Sequence, residues 1–116
     1  MLREDKLSVG QARQRDFKID DVKQAVIIDG HSIDLTSQNF RLLECLYKHR
    51  ERVCTPEFLV REALGDNYYD PNDRSQKDRL AMAILRLRER IERSSKDPRF
   101  VRSEHGGYRL YVNPES

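Results

Sequence analysis

The stretch Lys77 to Arg93, KDRLAMAILRLRERIER, carries the side chains best suited to chemistry with an anion: Arg79, Arg86, Arg88, Arg90 and Arg93. A guanidinium is permanently charged, donates hydrogen bonds in a planar fork, and matches either phosphate oxygens or the edge of a guanine. What such a set does depends on the element presenting it. Leu80, Ile84, Leu87 and Ile91 recur at spacings of four, three and four, which on a helix forms one narrow apolar seam. That seam must face a core. Arg79, Arg86, Arg90 and Arg93 then fall along one flank, and Met82 and Leu85 occupy the pole opposite the seam, where polar groups are the norm.

Charge is segregated along the chain. From Arg74 to Arg102 there are ten Lys/Arg against four acids, a net +6; the whole chain is +2 (22 basic, 20 acidic), so the remainder holds twelve basic and sixteen acidic residues, a net −4. Such segregation is what the footprint for a polyanion requires. The rival reading of these arginines is a solvated face on which Glu89 and Glu92 pair locally, Glu89 lying four residues before Arg93.

Other chemistries fare poorly. Cys45 and Cys54 are the only cysteines, no Cys or His spacing makes a tetrahedral metal site, and both thiols are read as reduced and unreactive in a cytoplasmic protein. No glycine-rich phosphate loop follows a strand, and no nucleophile, base or paired-carboxylate arrangement recurs at a useful spacing, so the chain reads as no enzyme and needs no cofactor. His31 and His49 read as surface residues. No apolar run approaches the length of a membrane span, and the N-terminus is too polar for a secretory signal.

The elements that must position the basic helix follow from local patterns. With 116 residues the chain holds one domain, able to bury about 65% of its unfolded surface. Residues 1–16 carry too few large apolar side chains to bury and read as a flexible tail or linker, with the domain at 17–113. Met1 so close to the folded part fits either a short stand-alone protein or an excised domain. FKID, QAVIID and HSIDLT alternate as three antiparallel strands, Asp29-Gly30 being a strong hairpin signal, with Val26, Ile28, Ile33 and Leu35 inward. Thr36 caps a helix over about 37–49; Thr55-Pro56-Glu57 opens a second, with Phe58, Leu59, Ala63 and Leu64 on its apolar side and Gly65 at its end. Residues 65–76, GDNYYDPNDRSQ, suit only a loop, after which the long helix runs from Lys77 to Arg93. Past Asp97-Pro98, Phe100 and Val101, then Tyr108, Leu110 and Val112, flank His105-Gly106-Gly107 as a closing hairpin. Three strands, three helices and two strands result.

Two helices joined by a short connection, a longer basic helix and a terminal hairpin make a helix-turn-helix with a wing. In this order the residues resemble the OmpR/PhoB-type winged-helix effector domain of bacterial response regulators. The resemblance spans about Phe17 to Val112 and rests on IIDGHSIDLTSQNFRLLECL, RVCTPEFLVREALG, AILRLRERIE and GGYRL. It implies an α+β winged helix-turn-helix that binds double-stranded DNA sequence-specifically as the output domain of a two-component transcription regulator. The third helix would lie in the major groove and the wing near the minor groove. Arg79, Met82, Leu85 and Arg86 are then the expected base or near-base contacts, with Arg88, Arg90, Arg93 and Arg102 on phosphate; His105 either touches DNA or sits in solvent. Asn67, Tyr68, Tyr69 and Asp70 form a partner loop, by resemblance for RNA polymerase; the competing reading packs the tyrosines against the second helix. The isolated domain is expected to be monomeric and able to pair on DNA.

The chain departs from the family pattern at positions that read DNA. Asp78 stands where members usually carry Arg, Ala81 where they carry Asp, Ala83 where they carry His, and Leu85 where they carry a polar or basic residue. Asp78 suits the positive helix end and could accept from a cytosine amino group, and Met82 and Leu85 could contact thymine methyls. At the wing, Glu104 replaces the usual Arg and His105 the first Gly. These departures motivate a second reading, a winged helix used for protein docking through Ala81, Met82, Ala83 and Leu85. Salt separates the two, since only DNA binding weakens steeply as salt rises.

Overall fold

The computed structural model describes residues 16–112. Strands β1 (Phe17–Asp20), β2 (Ala25–Ile28) and β3 (His31–Asp34) form an antiparallel sheet in that order. Its register pairs Phe17 with Ile28 and Val26 with Ile33. The Asp29-Gly30 turn takes positive φ at both residues, 52° and 84°, the geometry whose twist matches the flanking strands. Of the residues expected inward, Val26, Ile28 and Leu35 are buried and Ile33 is half-buried. Asp16 is tied to this turn, its N–H donating to Asp29 Oδ1 at 2.9 Å and its carbonyl accepting from Asp29 N–H at 2.9 Å. The rest of the expected tail lies outside the described residues.

Helix α1 (Ser37–Lys48) starts where Thr36 accepts from the Asn39 N–H. Helix α2 (Pro56–Glu62) starts where Thr55 accepts from the Phe58 N–H. Each hydroxyl satisfies an amide that the first turn leaves without an intrahelical partner. The inner side of α2 includes Val60, which the sequence reading passed over, while Phe58 and Leu64 are only half-buried.

Helix α3 runs Arg74–Ile91, one turn earlier at its start and two residues shorter at its end than the sequence suggested. Asp73 caps it by accepting from the Ser75 N–H and hydroxyl, and these bonds hold its carboxyl below the usual range. Leu80, Ile84, Leu87 and Ile91 are all buried, joined by Ala83. They pack with Leu42, Leu43 and Leu46 of α1 and Leu59 and Val60 of α2 in one core cluster. Phe17 closes that core against Phe100, ring centroids 5.2 Å apart, and stacks on Tyr47.

Strands β4 (Val101–Glu104) and β5 (Gly107–Leu110) make the wing, turning at His105-Gly106. Cys54 adds a bridge to its inner edge, exchanging both backbone hydrogen bonds with Tyr108 at 2.7 and 3.0 Å. The approach requires glycine at 107: a Cβ there would lie 2.0 Å from the Cys54 carbonyl oxygen.

Candidate nucleic-acid interface

Seating the seam of α3 turns one strip of the helix outward. Asp78, Met82, Leu85, Arg86 and Glu89 follow one another along it at helical spacing, and all are exposed, as is Arg93 two residues past the end of the helix. Met82 and Leu85 are 45% and 38% accessible, which is unusual for large apolar side chains at the centre of a helix whose opposite face is the core. Among the described residues, Arg86 and Arg93 make no hydrogen bond or ion pair with the chain itself.

The remaining arginines are divided between the flanks of α3. Arg88 is half-buried on the wing side. Its Nε donates to the Val101 carbonyl at 2.9 Å, its Nη2 to Ser103 Oγ at 3.0 Å, and its guanidinium lies 5.8 Å from the Tyr108 ring centre. Arg90 reaches the other way, donating from Nη2 to the Asp34 carbonyl of β3 at 2.8 Å. Arg79 pairs with the Asp66 carboxylate in the loop before α3. These three side chains therefore already have partners in the free protein, where the sequence reading treated them as open donors. They fix α3 against the wing, the first sheet and the loop.

On the wing, Arg102 and Arg109 are cross-strand partners and both lie over the Tyr111 ring, at 4.5 and 5.1 Å. Glu104 accepts from the Tyr111 hydroxyl, and that bond pushes the phenol up from its ordinary range. The acid at the wing is thus paired beside two arginines, and exposed His105 forms the tip.

Two groups escaped the sequence reading. Glu92, expected as a surface partner for arginine, is instead buried. Its carboxylate accepts from the N–H groups of Arg99 at 2.7 Å, Phe100 at 3.0 Å and Val101 at 2.8 Å, tying the end of α3 to the start of β4. The signal was an acid at a helix C-terminus, where the dipole disfavours it unless donors compensate. Gln76, read as loop, lies on the apolar stripe of α3 one turn before Leu80 and is 3% exposed. Its Oε1 accepts from the Asp70 N–H, and its Nε2 donates to Asp66 Oδ2 and the Tyr68 carbonyl.

The loop tyrosines split between the two readings offered for them. Tyr68 is 62% exposed, whereas Tyr69 is partly buried and packs against the core. Asn67 and Asp70 are exposed. The docking patch proposed from small and apolar residues loses Ala83, which faces the core at 2% exposure, and that reading is not favoured. Burial pushes both thiols up, Cys45 to about 11. Among the described residues no cluster of His, Cys, Asp or Glu could hold a metal, and no helix is long and apolar enough to cross a membrane.

This arrangement, a three-helix core between a small sheet and a hairpin that brackets the third helix, is a winged helix-turn-helix. Residues 30–110 match the family described as transcriptional regulatory protein, C terminal, and the chain belongs to it, as an OmpR/PhoB-type winged-helix domain. It is 34% identical over 87 residues to the DNA-binding dual master transcriptional regulator RpaA of a Synechocystis strain, covering 74% of this chain and 34% of RpaA. It is 31% identical over 103 residues to the transcriptional regulatory protein CusR of Escherichia coli K12, covering 88% of this chain and 43% of CusR. The chain thus spans well under half the length of these relatives. Among solved structures it resembles the Klebsiella pneumoniae RstA DNA-binding domain in complex with the RstA box, with a TM-score of 0.68 at 26% identity, covering 81% of this chain and 89% of that one. It also resembles the response regulator DrrB of Thermotoga maritima, an OmpR/PhoB homolog, with a TM-score of 0.64 at 28% identity, covering 82% of this chain and 41% of DrrB.

Proposed function

We propose that this domain binds double-stranded DNA sequence-specifically, as the cytoplasmic output module of a bacterial response regulator and without catalysis of its own. The observation that carries the reading is the outward strip of α3, open to solvent, with Arg86 on it and Arg93 just past its end engaged by no other group among the described residues. A helix of this width fits the major groove, where Arg86 can donate two bonds to a guanine edge and Met82 and Leu85 can meet thymine methyls. Arg93, Arg102 and His105, all exposed, serve phosphate and wing contacts on this reading. Arg88 and Arg90 contribute by fixing the helix and add phosphate contact through the charge that stays exposed on their flanks. Loop residues Asn67, Tyr68 and Asp70 offer a surface to RNA polymerase, and Tyr69 supports it from below.

The experiment is site selection from a randomised duplex pool, followed by anisotropy titrations of wild type and Arg86→Ala on the selected and on random DNA. Arg86→Ala costs about 1–3 kcal/mol on the selected site alone, the worth of a bidentate base contact. An equal loss on random DNA makes Arg86 a backbone contact, and no loss removes it from the interface. Wild-type binding that ignores salt would overturn the DNA reading itself.

A further inference from the structure

Asp66 Oδ2 is shared. It accepts from Gln76 Nε2 at 3.0 Å and pairs with the guanidinium of Arg79. The two donors differ in their freedom. Gln76 is buried and held by two further bonds, to the Asp70 N–H and the Tyr68 carbonyl, each at 2.9 Å. The Arg79 side chain is 49% exposed and the Asp66 side chain 23%, and Arg79 has no other partner among the described residues. Arg79 is also exposed in the first half of α3, one turn before exposed Met82 and two turns before exposed Arg86.

We propose that Asp66 is a positioning residue that holds Arg79 in reserve, releasing it to a backbone phosphate when α3 meets a duplex. The inference rests on the DNA-binding reading. A carboxylate and a phosphate compete for the same fork of donors, and a half-exposed ion pair is weak enough, at most about fivefold in an equilibrium constant, for the competition to be close. Gln76 makes the release one-sided. When Arg79 leaves, Asp66 keeps its bond to Gln76 and the loop keeps its shape, so the reserve costs DNA affinity without costing the fold. Arg79 is therefore a phosphate contact whose strength is set from outside the interface.

The test is a double-mutant cycle on a labelled, mixed-sequence duplex: wild type, Asp66→Asn, Arg79→Ala and the double variant, with Asp70→Asn as a control for charge alone. Asparagine keeps an oxygen for Gln76 and gives up the ion pair. Asp66→Asn binds about two- to fivefold tighter than wild type, and in the Arg79→Ala background the gain disappears. A gain that persists without Arg79, or that Asp70→Asn reproduces in full, overturns the proposal in favour of bulk electrostatics. The Arg79 Nε–H resonance of the wild-type protein supplies a second reading that needs no variant. It shifts on saturation with duplex if the pair opens, and an unchanged signal overturns the proposal while duplex binding stands. Absence of salt-dependent duplex binding by wild type is a different result, and refutes the DNA reading together with this inference.

Discussion

Replacing Glu92 with glutamine sets two physical arguments against each other. The residue caps the end of α3 inside the most basic segment of the chain. By charge alone, removing it favours DNA: one unit charge at about 10 Å in water is worth about 0.4 kcal/mol before screening, or about twofold in affinity. The structure reverses the sign. The carboxylate receives the N–H groups of Arg99, Phe100 and Val101 from both of its oxygens. An amide has one oxygen, and its NH2 would face a backbone donor. Hydrogen bonds to a charged group contribute about 1.5–3 kcal/mol each, and a buried donor left unpaired costs a comparable amount. Glu92→Gln is therefore expected to destabilise by about 2–3 kcal/mol and Glu92→Ala by about 4 kcal/mol. For a domain of this size the glutamine variant melts about 10–20 °C lower. Because Val101 begins β4, the wing loosens from α3, amide exchange at Phe100 and Val101 accelerates, and duplex affinity falls. Thermal melts and anisotropy at one salt concentration decide the matter. A glutamine variant that melts with wild type and binds DNA tighter would refute the reasoning.

Two further substitutions or treatments probe the same framework. Gly107→Ala forces a methyl into the Cys54 carbonyl, a backbone group that cannot swing aside; the expected loss is about 2 kcal/mol or more, with faster exchange at the Cys54 and Tyr108 amides, and an unchanged melt would contradict it. Cys45, raised by burial from 9.0 to about 11, carries about a hundredfold less thiolate than an ordinary cysteine at neutral pH; since a more basic thiolate is also the better nucleophile, its reaction with a disulfide reagent is slower by about tenfold and quickens as pH rises toward about 11, and labelling at pH 7 as fast as an ordinary cysteine's would refute the assignment.

The features legible in the sequence are those governed by short-range rules. Asp29-Gly30 needs only its own backbone to turn, Thr36 and Thr55 need only the next turn of helix, and the spacing of Leu80, Ile84, Leu87 and Ile91 names its own face. What stayed hidden depends on partners distant along the chain. Arg90 finds Asp34 fifty-six residues away, and Arg88 finds Val101 across the α3 to β4 connection; no periodicity announces either. The early start of α3 was missed for a similar reason, since Asp73 and Gln76 look like loop residues until Gln76 is seen to bond three groups of the loop it closes. Only Gln76, a polar residue on the apolar stripe, and Glu92, an acid at a helix C-terminus, stand where helix chemistry disfavours them, and that misfit is the readable trace.

This division of labour changes what the basic segment means. Its +6 is not a uniform positive surface. Arg88 and Arg90 direct donors at carbonyls of the chain and Arg79 faces Asp66. The strip left open, with Arg93 just past its end, sets Arg86 and Arg93 against Asp78 and Glu89, so it carries no net charge of its own. A neutral strip gains little from a phosphate backbone as such; its apolar and bidentate groups gain from particular base edges. On the proposed DNA-binding reading, general attraction would fall to the rim, to Arg74, Lys77 and the wing arginine Arg102, and discrimination to Met82, Leu85 and Arg86. An interface built this way is expected to hold random DNA weakly for its charge, with the departures from the family pattern in α3 as the source of its sequence preference; random-duplex affinity equal to that on the selected site would refute this.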